Sequence, residues 1–255
     1  MAQQKPPVIF LAFANDLVDQ KAFLRGLKKE REGIREALKV AEKAGLCELI
    51  IEPNTSIQNI IDTFQEYGDR IAIFHYAGHS NSFQLLLETL DGAHASAHSE
   101  GLISFLAKQH ALKLIFLNGC SSGEQALGLV ESGIEAVIGT SNSINDDIAN
   151  LLAIRFYKGL AQGKTLENAW DEAVDEVKIK KGTANVRDLF WDGQETVAPT
   201  NSSEGTNANP FPWSIHYRDK AKLAGWNLPK AANNHLFGLP PIAETPLPVQ
   251  PFPNV

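Results

Sequence analysis

Apolar positions along this chain follow two rhythms. Short, nearly unbroken apolar runs cover Val8 to Ala14, Cys47 to Glu52, Ile71 to Tyr76, Phe83 to Leu87, Leu112 to Leu117 and Ala136 to Gly139. Runs of this length predict strands, and their lack of polar alternation predicts that most are covered on both faces. Elsewhere apolar residues recur at helical spacing: Ile57, Ile60, Ile61 and Phe64 behind the cap candidate Ser56, and Ile148, Leu151, Leu152 and Phe156 behind Asn145. Each set predicts a helix that turns one stripe toward a core. Glu124 to Gly133 and Asp146 to Gly163 read as helices on either side of the Ala136 run. Strands and helices that alternate from the start predict an α/β fold around a mostly parallel sheet of about six strands.

Two stretches lose the rhythm. Residues 182–210 are dense in Asn, Ser, Thr and Gly, as in Thr200 to Asn207, and read as an exposed, mobile loop. Beyond Leu239, Pro240, Pro241, Pro246, Pro248, Pro251 and Pro253 exclude helix and central strand and suit an extended spacer. The expected division is a catalytic domain over 1–218, then an extension and Pro-rich linker over 219–255 that leads toward a further module.

Composition narrows the function. At 255 residues, with 44% hydrophobic and 21% charged, the chain can bury one sizeable core. No apolar run is long enough to span a bilayer, and Met1 to Pro7 carry no signal-peptide cleavage pattern. A cytoplasmic protein without membrane contact is expected. A formal net charge of -7 argues against a nucleic-acid surface. Cys47 and Cys120 are the only cysteines, so free thiols are expected and no disulfide framework. No Walker A run or dinucleotide fingerprint occurs, and no cofactor is expected.

Two strand ends carry the candidate chemistry. The run Ile71 to Tyr76 stops at Ala77-Gly78-His79-Ser80, and the run Leu112 to Leu117 stops at Asn118-Gly119-Cys120-Ser121-Ser122-Gly123. Ligand sites in parallel sheets lie at the carboxyl ends of the strands, so neighbouring strands ending this way bring a base and a thiol together. Cys120 also stands near the start of the following helix, where free backbone amides favour an anion and can point at a tetrahedral oxyanion. Of the two histidines, His79 lies in the turn and can reach the sulfur, whereas His75 lies inside the strand and reads as a core residue.

These residues resemble the caspase-like clan of cysteine peptidases, in its CHAT-domain and separase-like branch. The marks are the Gly78-His79 turn, the turn from Gly119 to Gly123, the helix-strand-helix after it, Lys164 to Trp170, and Phe211-Pro212-Trp213 with Tyr217. The resemblance covers about residues 8 to 218 and implies a three-layer α/β/α sandwich. It further implies a cysteine endopeptidase acting on protein or peptide: Cys120 the nucleophile, His79 the base, and the backbone amides of Cys120 and Ser80 the oxyanion holders. Where Ser80 stands the family usually has Gly. By the same mapping, the walls of the pocket for the residue before the scissile bond come from Asn15-Asp16, from Asn118, and from Ser141 to Asp147. The acids Asp16, Asp146 and Asp147 then imply a basic residue there. Asp146 and Asp147 also suit the positive end of the helix behind Asn145, and Asp16 also reads as a solvated loop residue. A sensor or activator module, and a setting in bacterial (including antiviral) defence or cell death, follow from the resemblance alone. The alternative is a catalytically silent scaffold of the same fold.

Other candidates are weaker. His94 and His98 have a spacing that could hold zinc on a helix but read as a loop, and Cys47 reads as packing. Lys181 and Arg187, at the edge of the 182–210 stretch, are candidate self-processing sites.

Overall fold

The computed structural model describes residues 5–15, 24–81, 84–88, 94–141, 144–181 and 211–228. Six strands form one sheet: β1 (Val8–Phe13), β2 (Glu48–Glu52), β3 (Ile71–Ala77), β7 (Leu114–Asn118), β8 (Ala136–Thr140) and β9 (Trp213–Tyr217), in the order β2-β1-β3-β7-β8-β9. All neighbours run parallel except β9, which pairs antiparallel with β8. The sheet has the expected number of strands, but its membership differs from the expectation. The Phe83–Leu87 run is β5 (Gln84–Glu88), which joins β4 (Ser80–Asn81) and β6 (His94–His98) in a separate antiparallel sheet. The sixth place is filled by β9, whose sequence mixes polar and apolar residues because it lies on an edge.

Residues of the buried strands divide by parity between two cores. Ile9, Leu11, Phe13, Ile73, Ala77, Leu114, Phe116, Ala136 and Ile138 face one side, where they meet α1 (Leu27–Lys43), α5 (Asp146–Ala161) and α6 (Leu166–Lys181). Phe10, Ala12, Phe74, Tyr76, Ile115, Leu117 and Val137 face the other, against α2 (Ile57–Tyr67), α3 (Ser99–Leu106) and α4 (Gly123–Glu131). Period-2 alternation therefore builds a three-layer α/β/α sandwich, with both faces of the sheet dry. Phe10, Phe64 and Phe74 form a cluster of tilted and edge-on rings at the centre of the second core.

The caps read from sequence are present. Ser56 Oγ accepts from the Asn59 amide at 3.1 Å while Asn59 Oδ1 accepts from the Ser56 amide at 2.9 Å, a reciprocal capping box. Asn145 Oδ1 accepts from the amides of Asp147 and Ile148 at the start of α5. The α2 stripe is narrower than expected. Ile60 and Phe64 are buried, but Ile57 is 38% exposed and Ile61 is half-buried. His94 and His98 lie on a strand rather than a loop or helix, where residues four apart sit about 13 Å from one another, too far to share a metal. The packed body continues past residue 218: α7 (Lys220–Leu223) brings Leu223 into the first core, and Leu228 is fully buried there. The 182–210 stretch, Arg187 within it, and the Pro-rich tail lie outside the described residues. No described helix is long and apolar enough to cross a membrane.

Candidate active site

Strand order reverses direction around β1, since β2 lies on one side of it and β3 on the other. Connections leave such a switch point in opposite directions, opening a crevice beyond the carboxyl ends of the strands. A cavity of about 450 Å³ lies there. Its walls are Leu24, the first turn of α1, Gly78 and His79 after β3, Asn118 to Cys120 at the end of β7, and the segment from Ile144 to Asn150 at the start of α5.

Strand register brings the two chemical turns side by side. Ala77 of β3 pairs with Asn118 of β7, so His79 and Cys120 each follow a paired position by two residues, and both line the cavity. The turns are bonded to each other: Ser80 Oγ donates to the Cys120 carbonyl at 2.7 Å. They also touch backbone to backbone, since a Cβ on Gly119 would stand 2.7 Å from the Gly78 carbonyl oxygen. Glycine at 119 is required by this approach. The Tyr76 hydroxyl donates to the His79 carbonyl at 2.6 Å and fixes the histidine turn from beneath. Ser80 has an ordinary negative φ, so the left-handed freedom of glycine is not needed at this position; its hydroxyl instead ties the two turns together.

The residue after the cysteine is the bent one. Ser121 has φ 53°, the one positive-φ residue other than glycine among those described. Such a backbone costs of order 1–3 kcal/mol and persists where its surroundings hold it. Ser122 supplies that hold. Its amide donates to Thr140 Oγ1 at 3.3 Å, its Oγ accepts from the Thr140 amide at 3.0 Å, and its hydroxyl reaches the Leu117 carbonyl at 3.2 Å. Thr140 in turn donates to the Gly119 carbonyl. The cysteine turn is thereby stapled to the end of β8. Cys120, half-buried, stands three residues ahead of the first helical residue of α4 rather than within its first turn.

A buried acid at this site was not read from the sequence. Glu30, 2% exposed, lines the cavity from α1. Its Oε1 accepts from Asn118 Nδ2 at 2.7 Å and contacts His75 Nε2 at 3.1 Å. Trp213 Nε1 donates to Asn118 Oδ1 at 3.0 Å. An indole N–H can only donate, so the oxygen of Asn118 faces Trp213 and its amide nitrogen must face Glu30. His75 is fully buried between Phe116 and Tyr157, as expected for a core histidine, and its Nδ1 has no hydrogen-bond partner. Burial, followed by the nearby Glu30, drives the Tyr157 hydroxyl well above the usual tyrosine range. A signal for Glu30 does exist. It occupies the same stripe of α1 as the buried Ile34, Leu38 and Ala41, a charge where the helical period demands an apolar residue.

The expected acids fare differently. Asp146 lines the cavity, and burial, then the Glu30 carboxylate, hold its carboxyl above the usual aspartate range, while His79 and the Gly26 amide pull the other way. Asp147 also borders the cavity, but its carboxylate pairs at 3.0 Å with Lys29, both largely exposed. Asp16 lies outside the described residues. Cys47 is buried beside β2, its thiol pushed up to about 12 by burial and then by Glu42. Among the described residues no cluster of three or more His, Cys, Asp or Glu could hold a metal ion.

Comparison with known proteins gives the family and the fold. A family model described as the CHAT domain matches residues 1–219. No curated protein matches the chain. Among solved structures, a secreted C11 cysteine protease from Bacteroides thetaiotaomicron aligns with TM-score 0.51 and 10% identity, over 69% of this chain and 60% of that one. The chain thus spans less than two thirds of that protein's length. The Drosophila initiator caspase Dronc aligns at TM-score 0.44 and 11% identity, over 69% of this chain and 75% of its own. Arg specific gingipain R of Porphyromonas gingivalis aligns at 0.47 and 14%, over 69% of this chain and 43% of its own. The last two add nothing to the fold assignment. The fold is caspase-like.

Proposed function

The chain belongs to the CHAT-domain family, and on that premise we propose that it is a cysteine endopeptidase in which Cys120 and His79 act as one unit. The observation that carries this reading is the single cavity lined by both residues, with their turns joined by the bond from Ser80 Oγ to the Cys120 carbonyl. The Cys120 sulfur attacks the scissile carbonyl carbon, and the developing oxyanion is held by the backbone amides of Cys120 and Ser80. His79 passes a proton to the leaving amine, and then takes one from the water that hydrolyses the thioester. Asn118 and the acids around it form the pocket for the residue before the scissile bond, and that acidity favours a basic side chain. Protein or peptide is the substrate class. An attached or partner sensor module controls the activity, a reading supported by the Pro-rich sequence from Leu239 onward. Bacterial defence or cell death is the setting that family membership suggests.

The test is turnover of a peptide library by the unaltered protein, by Cys120→Ala and by His79→Ala, all with matched circular dichroism. Cleavage lost in both variants is the expected result. Cleavage that persists after Cys120 is alkylated overturns the reading.

A further inference from the structure

We infer that Glu30 receives the side chain that precedes the scissile bond, and that it takes a single-point cation, lysine as readily as arginine. The inference rests on the peptidase reading above and names the substrate class of the same pocket.

Charge is the first argument. Glu30 is 2% exposed yet lines the cavity, and among the described residues neither Lys nor Arg lines it. Asp146 faces the same space and is held above its usual range partly by Glu30 itself. Two carboxyl groups on one cavity, where His79 is the one basic side chain among the described lining residues, form a receptor for a cation. Asp147, which the sequence offers as a third acid, spends its charge on Lys29 in solvent.

Preorganisation is the second argument. Glu30 sits on a helix rather than a loop, and Asn118 and His75 clamp one of its oxygens from β7 and β3. Asn118 is itself oriented by Trp213 of the edge strand. A group held this way loses little freedom when a ligand arrives.

The clamp also decides which cation is preferred. Bidentate recognition of a guanidinium uses both carboxylate oxygens in one plane. Here Oε1 already serves two partners, so Oε2 is the oxygen left for an incoming side chain. An ammonium satisfies that geometry as well as one edge of a guanidinium does.

The test uses acetylated tetrapeptide amides that differ only in the last residue: Lys, Arg, or the uncharged isostere norleucine. Binding is measured to the Cys120→Ala protein, where no turnover intervenes. Lys and Arg peptides are expected to bind within about 3-fold of each other and at least about 10-fold tighter than norleucine. Glu30→Gln should erase that advantage, and Glu36→Gln, the same change on the exposed side of α1, should leave it. Equal binding of norleucine, an advantage that survives Glu30→Gln, or Arg favoured over Lys by more than about 30-fold overturns the inference. Should Glu30→Gln fail to fold, Glu30→Asp keeps the charge and retracts it by one methylene; homolysine should then gain on lysine, and no gain counts against Glu30. Wild-type turnover separates the two readings. Cation-selective binding without any Cys120-dependent cleavage sinks the peptidase and spares the pocket. Cys120-dependent cleavage that ignores charge does the reverse.

Discussion

Cys47 stands at the amino end of β2, an edge strand, and Cys120 just past the carboxyl end of β7, an interior one. Both follow or precede apolar runs, and nothing in residue type separates them. Position along the sheet does. The amino end at Cys47 is closed by packing against α1, so the thiol is 2% exposed and pushed up to about 12. The carboxyl end at Cys120 opens into the crevice where strand order reverses, beside His79 and a turn bonded across from β3. A parallel sheet has polarity, and that polarity decides which of two similar thiols faces the open crevice.

The largest effect should come from breaking the reactive end. Cys120→Ala is expected to lower turnover by at least about 10⁴-fold, and His79→Ala comparably, with the double variant little worse than either, as for residues that act as a unit. Cys47→Ala should retain activity within about 2-fold, since packing is all it loses. Steady-state rates on one good peptide check all four. Strict additivity in the double variant would break the dyad.

Alkylation sharpens the contrast without mutation. At pH 8 a thiol held near 12 is ionised in only about one molecule in 10⁴. Iodoacetamide should therefore give a single adduct on the folded protein, at Cys120, and a second at Cys47 only in denaturant. Peptide mass mapping reads this directly, and modification of Cys47 in the folded state would contradict its burial.

The two histidines of β3 and its turn repeat the comparison on a smaller scale. His75→Ala removes one partner of the buried Glu30 and is expected to cost about 3 kcal/mol of stability. His79→Ala should leave the melting temperature nearly unchanged. Ser80→Ala cuts the bond between the turns and should cost about 1 kcal/mol, with turnover reduced about 10-fold as the cysteine turn loosens. Chemical denaturation and rates on the same samples separate the two kinds of effect. If Ser80→Ala matches the unaltered protein in both, the link between the turns is incidental.

How much of this was legible follows from the same physics. Five of the six runs read as strands lie in the main sheet: β1, β3, β7 and β8 are buried on both faces and leave unambiguous apolar runs, and the edge strand β2 keeps Leu49, Ile50 and Ile51 together. The sixth run is β5 of the smaller sheet, and the main sheet's β9 is not legible as a strand because it keeps polar residues, with only Trp213 hinting at burial. The placement of Cys120, His79 and Asn118 at one crevice was legible because each lies at or just past a strand end, where local sequence dictates geometry. Glu30 was not, since its place at the cavity depends on contacts from β3 and β7 far along the chain. In the sequence Ser122 is only one of the small residues in the Gly119 to Gly123 turn. Its bonds to Thr140, which hold the bent Ser121, exist only once β7 and β8 are paired.

The smallest effect tests the cost of crowding acids at the open end. Asp146 is more than a third exposed, but burial and the Glu30 carboxylate still hold its carboxyl above the ordinary aspartate value of 3.8. The folded protein therefore keeps this proton to higher pH than the unfolded chain does. Stability contributed by the group is greatest below that ordinary value and is lost as pH rises through the raised folded one. Asp146→Asn removes the loss, so the variant should be slightly more stable near neutrality, by less than about 1 kcal/mol once solvent screening is allowed for. Its advantage should shrink toward zero as pH falls to 4 and below, where Asp146 becomes protonated in both states. Urea midpoints of the two proteins between pH 4 and 7 give the comparison. An advantage that is constant with pH would mean that the substitution acts through packing or the α5 cap, not through the charge it shares with Glu30.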